Sequence, residues 1–79
     1  VPHPPDDESL RSDLRAIGDR IRVARLRRNR TQESVFLAAG VARSAYQEIE
    51  AGSADARIGT LIRIARALGV HVVDLLRDS

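Results

Sequence analysis

The sequence has no cysteine, methionine, tryptophan or lysine, and only one tyrosine, one phenylalanine and two histidines. Without cysteine there is neither a disulfide staple nor a thiolate metal site, and His3 and His71 stand too far apart to suggest a ligand pair. No apolar run approaches the roughly 18 residues of a membrane span, so no membrane partner is expected. Proline is confined to Pro2, Pro4 and Pro5, next to a run of acids. A secretory signal would be basic and then apolar there, and the expected compartment is the cytoplasm. The chain opens on Val1 rather than Met, which is compatible with a piece of something longer. Glycine-rich phosphate loops, metal-ligand spacings and nucleophile elbows are missing as well, so no catalytic residue, metal or cofactor is expected.

What remains is a chain of 79 residues, 43% hydrophobic and 30% charged. A chain this short forms one domain at most and buries only about 60% of its unfolded surface. With no staple the core must be purely hydrophobic, and helical packing is the economical way to build it. The formal charge of +2 understates a local bias. Asp6, Asp7 and Glu8 lie in the first twelve residues, and residues 13–79 hold 12 arginines against 8 acids. Arginine suits two-pronged contacts with phosphate or guanine, although the missing lysine is explained first by genome base composition.

Residues 1–9 read as a disordered acidic, Pro-rich tail and residues 10–79 as the domain. Ser9 is placed to cap a first helix over about 10–28, in which Leu10, Leu14, Ile17, Ile21 and Ala24 recur at steps of four and three. Asn29, tolerant of the left-handed conformation, ends it. Thr31 caps a second helix over 32–39, stopped by Gly40. A third covers 43–50, with Tyr46 and Ile49 on one face and Gly52 beyond its end. Asp55 is expected to cap a fourth over 57–68, whose apolar face holds Ile58, Leu61, Ile64, Ala65 and Leu68 and which Gly69 stops. A short fifth helix covers 72–77. The expectation is an all-α fold of five helices joined by short loops.

The segment from Thr31 to Gly52 carries the functional information. Two short helices around a glycine bend, pinned by Val35, Ala39, Val41, Tyr46 and Ile49, make a helix-turn-helix. Its second helix projects a face whose first turn can enter a DNA major groove. From about Ile17 to Leu76 the sequence resembles the lambda-repressor/Cro-like (XRE) helix-turn-helix family. The resemblance rests on Ile17-Gly18, Arg20-Ile21-Arg22 and Arg25, then Thr31-Gln32-Glu33, Ala39-Gly40-Val41, Arg43-Ser44, Ile49-Glu50 and Gly52. It continues through Thr60-Leu61, Arg63, Ile64-Ala65-Arg66-Ala67-Leu68-Gly69-Val70 and Asp74-Leu75-Leu76, with no gap in the spacing.

The resemblance implies a compact five-helix, lambda-repressor-like DNA-binding domain, a double-stranded DNA partner and a transcriptional regulator, with repression the expected mode. It places Ala42, Arg43, Ser44, Gln47 and, at the margin, Glu48 against base edges. By chemistry Arg43 suits guanine O6 and N7, and Gln47 suits adenine N6 and N7; the bland readings are a phosphate contact for Arg43 and a solvated helix residue for Gln47. Thr31, Gln32, Arg28, Arg30 and Arg57 are candidates for the DNA backbone. Arg25 and Glu50 match a structural ion pair joining the first and third helices. The last helix matches a dimer-forming region, with Val72, Val73 and Leu76 as candidates for a homodimer contact and Val72 and Leu75 as candidates for closing the core.

Some positions depart from the family pattern. Phe36 stands where alanine is usual and Ala24 where a large aliphatic is usual, which suggests that the two exchange volume across the core. Arg30 replaces the apolar residue before the Thr31 cap, removing a hydrophobic staple. Ala51, Ser53 and Ala54 leave the loop after Gly52 without the charge that relatives place on phosphate. That thin charge, with Phe36, Leu37 and the acidic tail, keeps open an alternative on the same fold: an antitoxin-like module, or a regulator without DNA binding, whose partner is a protein.

Overall fold

After Pro5 nothing in the sequence bars a helix, and Glu8 favours the positive end of a helix dipole. Helix α1 accordingly begins at Asp7 and runs to Arg27. It starts earlier than the apolar pattern predicts, so Ser9 lies inside it rather than capping it, and residues 7–9 are helical where a tail was expected. The structure, a computed structural model, describes residues 7–77; the rest of the expected tail lies outside them. Four helices follow: α2 (Gln32–Ala39), α3 (Arg43–Ala51), α4 (Ile58–Leu68) and α5 (Val72–Leu76). No strand occurs among the described residues.

The punctuation is local chemistry. Asn29 takes the positive φ of 54° that ends α1. The Thr31 hydroxyl oxygen accepts a hydrogen bond from the Ser34 N–H at 3.0 Å, satisfying one of the first-turn donors of α2. Gly40, Gly52 and Gly69 close α2, α3 and α4 in the left-handed conformation. Asp55 does not cap α4; the cap position is Arg57, which offers no side-chain acceptor to the helix. At α5 the Asp74 carboxylate accepts from the His71 N–H at 3.3 Å.

The core joins Ile21 of α1, Val35, Phe36 and Ala39 of α2, Tyr46 and Ile49 of α3, Leu61, Ile64, Ala65 and Leu68 of α4, and Leu75 of α5. Val72 is partly buried against it, so Leu75 closes the core with Val72 beside it. Leu10 and Ile58 do not join: both are exposed. Helix α2 packs on α3 and α4, while α1 lies across α3, α4 and α5.

The backbones of α1 and the end of α3 come close together. A Cβ at Gly18 would stand 2.5 Å from the Glu50 carbonyl oxygen and 2.7 Å from that of Ile49. One at Gly52 would stand 2.6 Å from Arg15 Cα. These glycines let two helices meet without side chains between them, which sets the height and angle at which α3 leaves the core.

Candidate nucleic-acid interface

Helix α3 divides cleanly. Tyr46, Ile49 and Glu50 face inward, whereas Arg43, Ser44, Gln47 and Glu48 are exposed. Residues 43 and 47, and 44 and 48, are one helical turn apart, so the four make one outward stripe. Ala42 occupies the cap position with no side-chain cap. The structure therefore brings the five base-reading candidates together on one open surface at and after the start of α3.

What fixes this surface is the Arg25–Glu50 pair. Arg25 Nε donates to Glu50 Oε2 at 3.2 Å and Nη2 to Oε1 at 2.7 Å, a two-pronged contact. The third guanidinium nitrogen, Nη1, donates to the Arg30 carbonyl at 3.0 Å. The side chains are only 12% and 4% exposed. Burial by itself would raise the Glu50 carboxyl; the Arg25 hydrogen bond, helped by Tyr46 and Gln32, outweighs it and holds the group below its ordinary value. The same bond raises Arg25 further. The Tyr46 hydroxyl is buried close to the pair without a hydrogen bond of good geometry; burial first, then the hydroxyl's interaction with the adjacent Glu50 carboxylate, push this phenol well up. Gln32, half-buried at the start of α2, is thus part of the Glu50 environment.

The candidate phosphate contacts fare unequally. Thr31 is exposed and acts as the α2 cap. Arg57 is exposed, with no ion pair among the described residues. Arg28 is exposed but sits at the α4–α5 corner, where Nη2 donates to the Gly69 carbonyl at 3.4 Å. Arg30 has another role: it donates to the Ser34 carbonyl at 2.8 Å, the Ser34 hydroxyl at 3.2 Å and the Ala67 carbonyl. Where the apolar staple is missing, a guanidinium ties α2 to the end of α4. The loop after Gly52 bears no base before Arg57, and Ser53 turns back to Glu48, donating from its hydroxyl to that carbonyl at 3.2 Å.

Three features escape a reading of the sequence. Arg63 of α4 reaches the Gly40 carbonyl at 3.5 Å, placing a cation at the turn of the motif. Arg43 Nη2 contacts Glu33 Oε2 at 3.1 Å across the two helices, and its guanidinium lies 5.4 Å from the Phe36 ring centre. Phe36 in turn meets Tyr46 with ring centres 6.0 Å apart. The presence of a base, an acid and an aromatic was legible, but their juxtaposition depends on the α2–α3 crossing.

Volume is not exchanged between Phe36 and Ala24 as expected. Phe36 fills the α2–α3 contact, while Ala24 floors an open cleft of about 600 Å³ between α1 and α5, lined also by Val23, Val70 and Leu75 and rimmed by Arg20, Arg27, Arg28 and Arg77. On α5, Val73 and Leu76 are exposed and Val72 is half-buried. No helix among the described residues is long and apolar enough to cross a membrane, and no cluster of His, Asp and Glu there could hold a metal.

Two short helices meeting at a left-handed glycine, with the second held by a buried ion pair and its far face bare, define a helix-turn-helix protein of the XRE type. The chain belongs to the Helix-turn-helix family, whose sequence pattern matches residues 21–75. Among solved structures it is similar to the restriction-modification controller protein C.AhdI from Aeromonas hydrophila, with 26% identity, a TM-score of 0.78 and coverage of 81% of this chain and 97% of that one. It is also similar to the hypothetical transcription factor NHTF from Neisseria, with 23% identity, a TM-score of 0.77 and coverage of 98% and 85%. No curated protein matches the sequence significantly.

Proposed function

We propose that this protein is a sequence-specific double-stranded DNA-binding regulator of transcription that sets α3 into the major groove. The observation that carries the reading is the bare stripe Arg43, Ser44, Gln47 and Glu48 on a helix whose inner face is clamped by Arg25–Glu50. A reading helix needs both: side chains free to meet base edges and a backbone that keeps its place. Arg43 and Gln47 have the donor and acceptor patterns for guanine and adenine. Thr31, Gln32 and Arg57 would hold the DNA backbone, with Arg63 a further cation at the motif's turn, while Arg28 and Arg30 serve the fold first. With so few phosphate contacts the monomer binds modestly, and its affinity falls less steeply with salt than that of a protein with more such contacts.

A homodimer through Val73 and Leu76, with Val72 at the edge, would link two half-sites about 34 Å apart. Occupying an operator that overlaps promoter elements would repress, in the cytoplasm and without a cofactor or catalysis. Selection of bound duplexes from a random pool tests DNA binding, base preference and spacing together. The expected result is a near-palindrome with guanine at the Arg43 position; recovery of no enriched sequence would overturn the reading. The exposed Leu37, at 69%, favours the protein-partner alternative, which predicts no duplex binding even at low salt.

A further inference from the structure

The Arg43 guanidinium does not hang free in solvent. One nitrogen, Nη2, contacts the Glu33 carboxylate at 3.1 Å, and the guanidinium carbon lies 5.4 Å from the Phe36 ring centre. Phe36 is itself buried, 6% exposed and packed against Tyr46. No other hydrogen bond to Arg43 occurs among the described residues. The two contacts differ in kind: the ring supports the guanidinium from α2, and the carboxylate fixes its rotation at one corner. The remaining donors are left for a partner in front of α3.

We propose that Glu33 and Phe36 are positioning residues that aim Arg43 at guanine, so that part of the protein's base preference resides in α2, which faces no base itself. This rests on the DNA-reading role of α3. A long arginine that must be ordered on binding loses about two- to twelvefold in affinity for its immobilisation. Ordering it beforehand recovers that factor for an acceptor standing where the donors point. A phosphate elsewhere can be reached only by breaking the Glu33 contact. The pair is exposed, with both side chains above 60%, so by itself it stabilises weakly, at most about fivefold. Its effect is on discrimination, which for a two-pronged guanine contact amounts to about five- to 150-fold per base pair.

The test compares two duplexes that differ only in guanine or adenine at the position Arg43 reads, binding each to the parent chain, Glu33→Gln, Phe36→Leu and Arg43→Ala. Glu33→Gln should lower the guanine-to-adenine affinity ratio by about two- to fivefold. It should leave that ratio unchanged when Arg43→Ala is already present. Loss of the Glu33 charge acting at long range would tighten both duplexes alike and leave the ratio intact, which would overturn the proposal. Phe36→Leu should lower the ratio too and, in the free protein, should abolish a ring-current shift of the Arg43 side-chain protons in NMR spectra; no such shift in the parent chain would also overturn it. Should Phe36→Leu fail to fold, the exposed Glu33→Gln still decides. Binding of neither duplex by the parent would overturn the DNA-reading role itself, an outcome distinct from an unchanged ratio.

Discussion

The arginine–glutamate pairs Arg25–Glu50 and Arg43–Glu33 do opposite things with the same chemistry. Arg25–Glu50 is buried, two-pronged and supported on a third side by a backbone carbonyl. Arg43–Glu33 is exposed and touches at one corner. Burial makes the first pair obligatory, because either partner left alone would be an unpaired charge away from water. Exposure makes the second conditional, because water and salt compete for both ends. One pair settles where α3 is; the other settles only where one side chain on α3 points.

That contrast can be broken most severely at Glu50. Replacing it with alanine should cost about 3 to 5 kcal/mol, read as a lowered urea midpoint and melting temperature, and an unchanged midpoint would remove the pair from its structural role. Gly18→Ala should come next, at about 1 to 3 kcal/mol, because the added carbon would meet the Glu50 and Ile49 carbonyl oxygens. Urea unfolding would measure it; parent-like stability would mean that α1 and α3 part easily.

Acid should sharpen the comparison further. The folded Glu50 carboxyl lies below its ordinary value, near 4.3 in a free chain. Its stabilising contribution is therefore complete above that value and is lost as pH falls through the folded pKa. Urea midpoints measured downward from about pH 5 should fall more steeply for the parent than for Glu50→Gln; parallel curves would contradict the assignment. The smallest effect belongs to the exposed pair. Glu33→Gln should change stability by no more than about 0.5 kcal/mol in the same unfolding measurement, and a loss comparable to that of Glu50→Ala would erase the distinction.

How much of this was legible beforehand follows the range of the interactions. The glycines at 40, 52 and 69, the Thr31 cap and the apolar steps are local signals, and each helix is found where they point. Helix α1 starts before Ser9, a residue type that favours caps, because nothing between Pro5 and Leu10 opposes a helix. Asp55 likewise lies outside the cap position of α4, because a good capping residue carries no information about where the turn will place it. The outward stripe on α3 was readable from periodicity once Tyr46 and Ile49 were placed inside. Arg30, Arg43 and Arg63 were readable only as charges, since their partners Ala67, Glu33 and Gly40 lie across helix contacts. The cleft beside Ala24 was invisible because volume lost at one position and gained at another need not meet in space.

The bare contact at Gly18 bears on how such a protein can change over generations. Because α1 meets the end of α3 backbone to backbone, no side chain of the outward stripe lies in that contact. Arg43, Ser44, Gln47 and Glu48 lie outside that contact, so substitutions among them leave the seat of α3 against α1 intact. Gly18 thus keeps the seating of α3 separate from the surface that α3 presents.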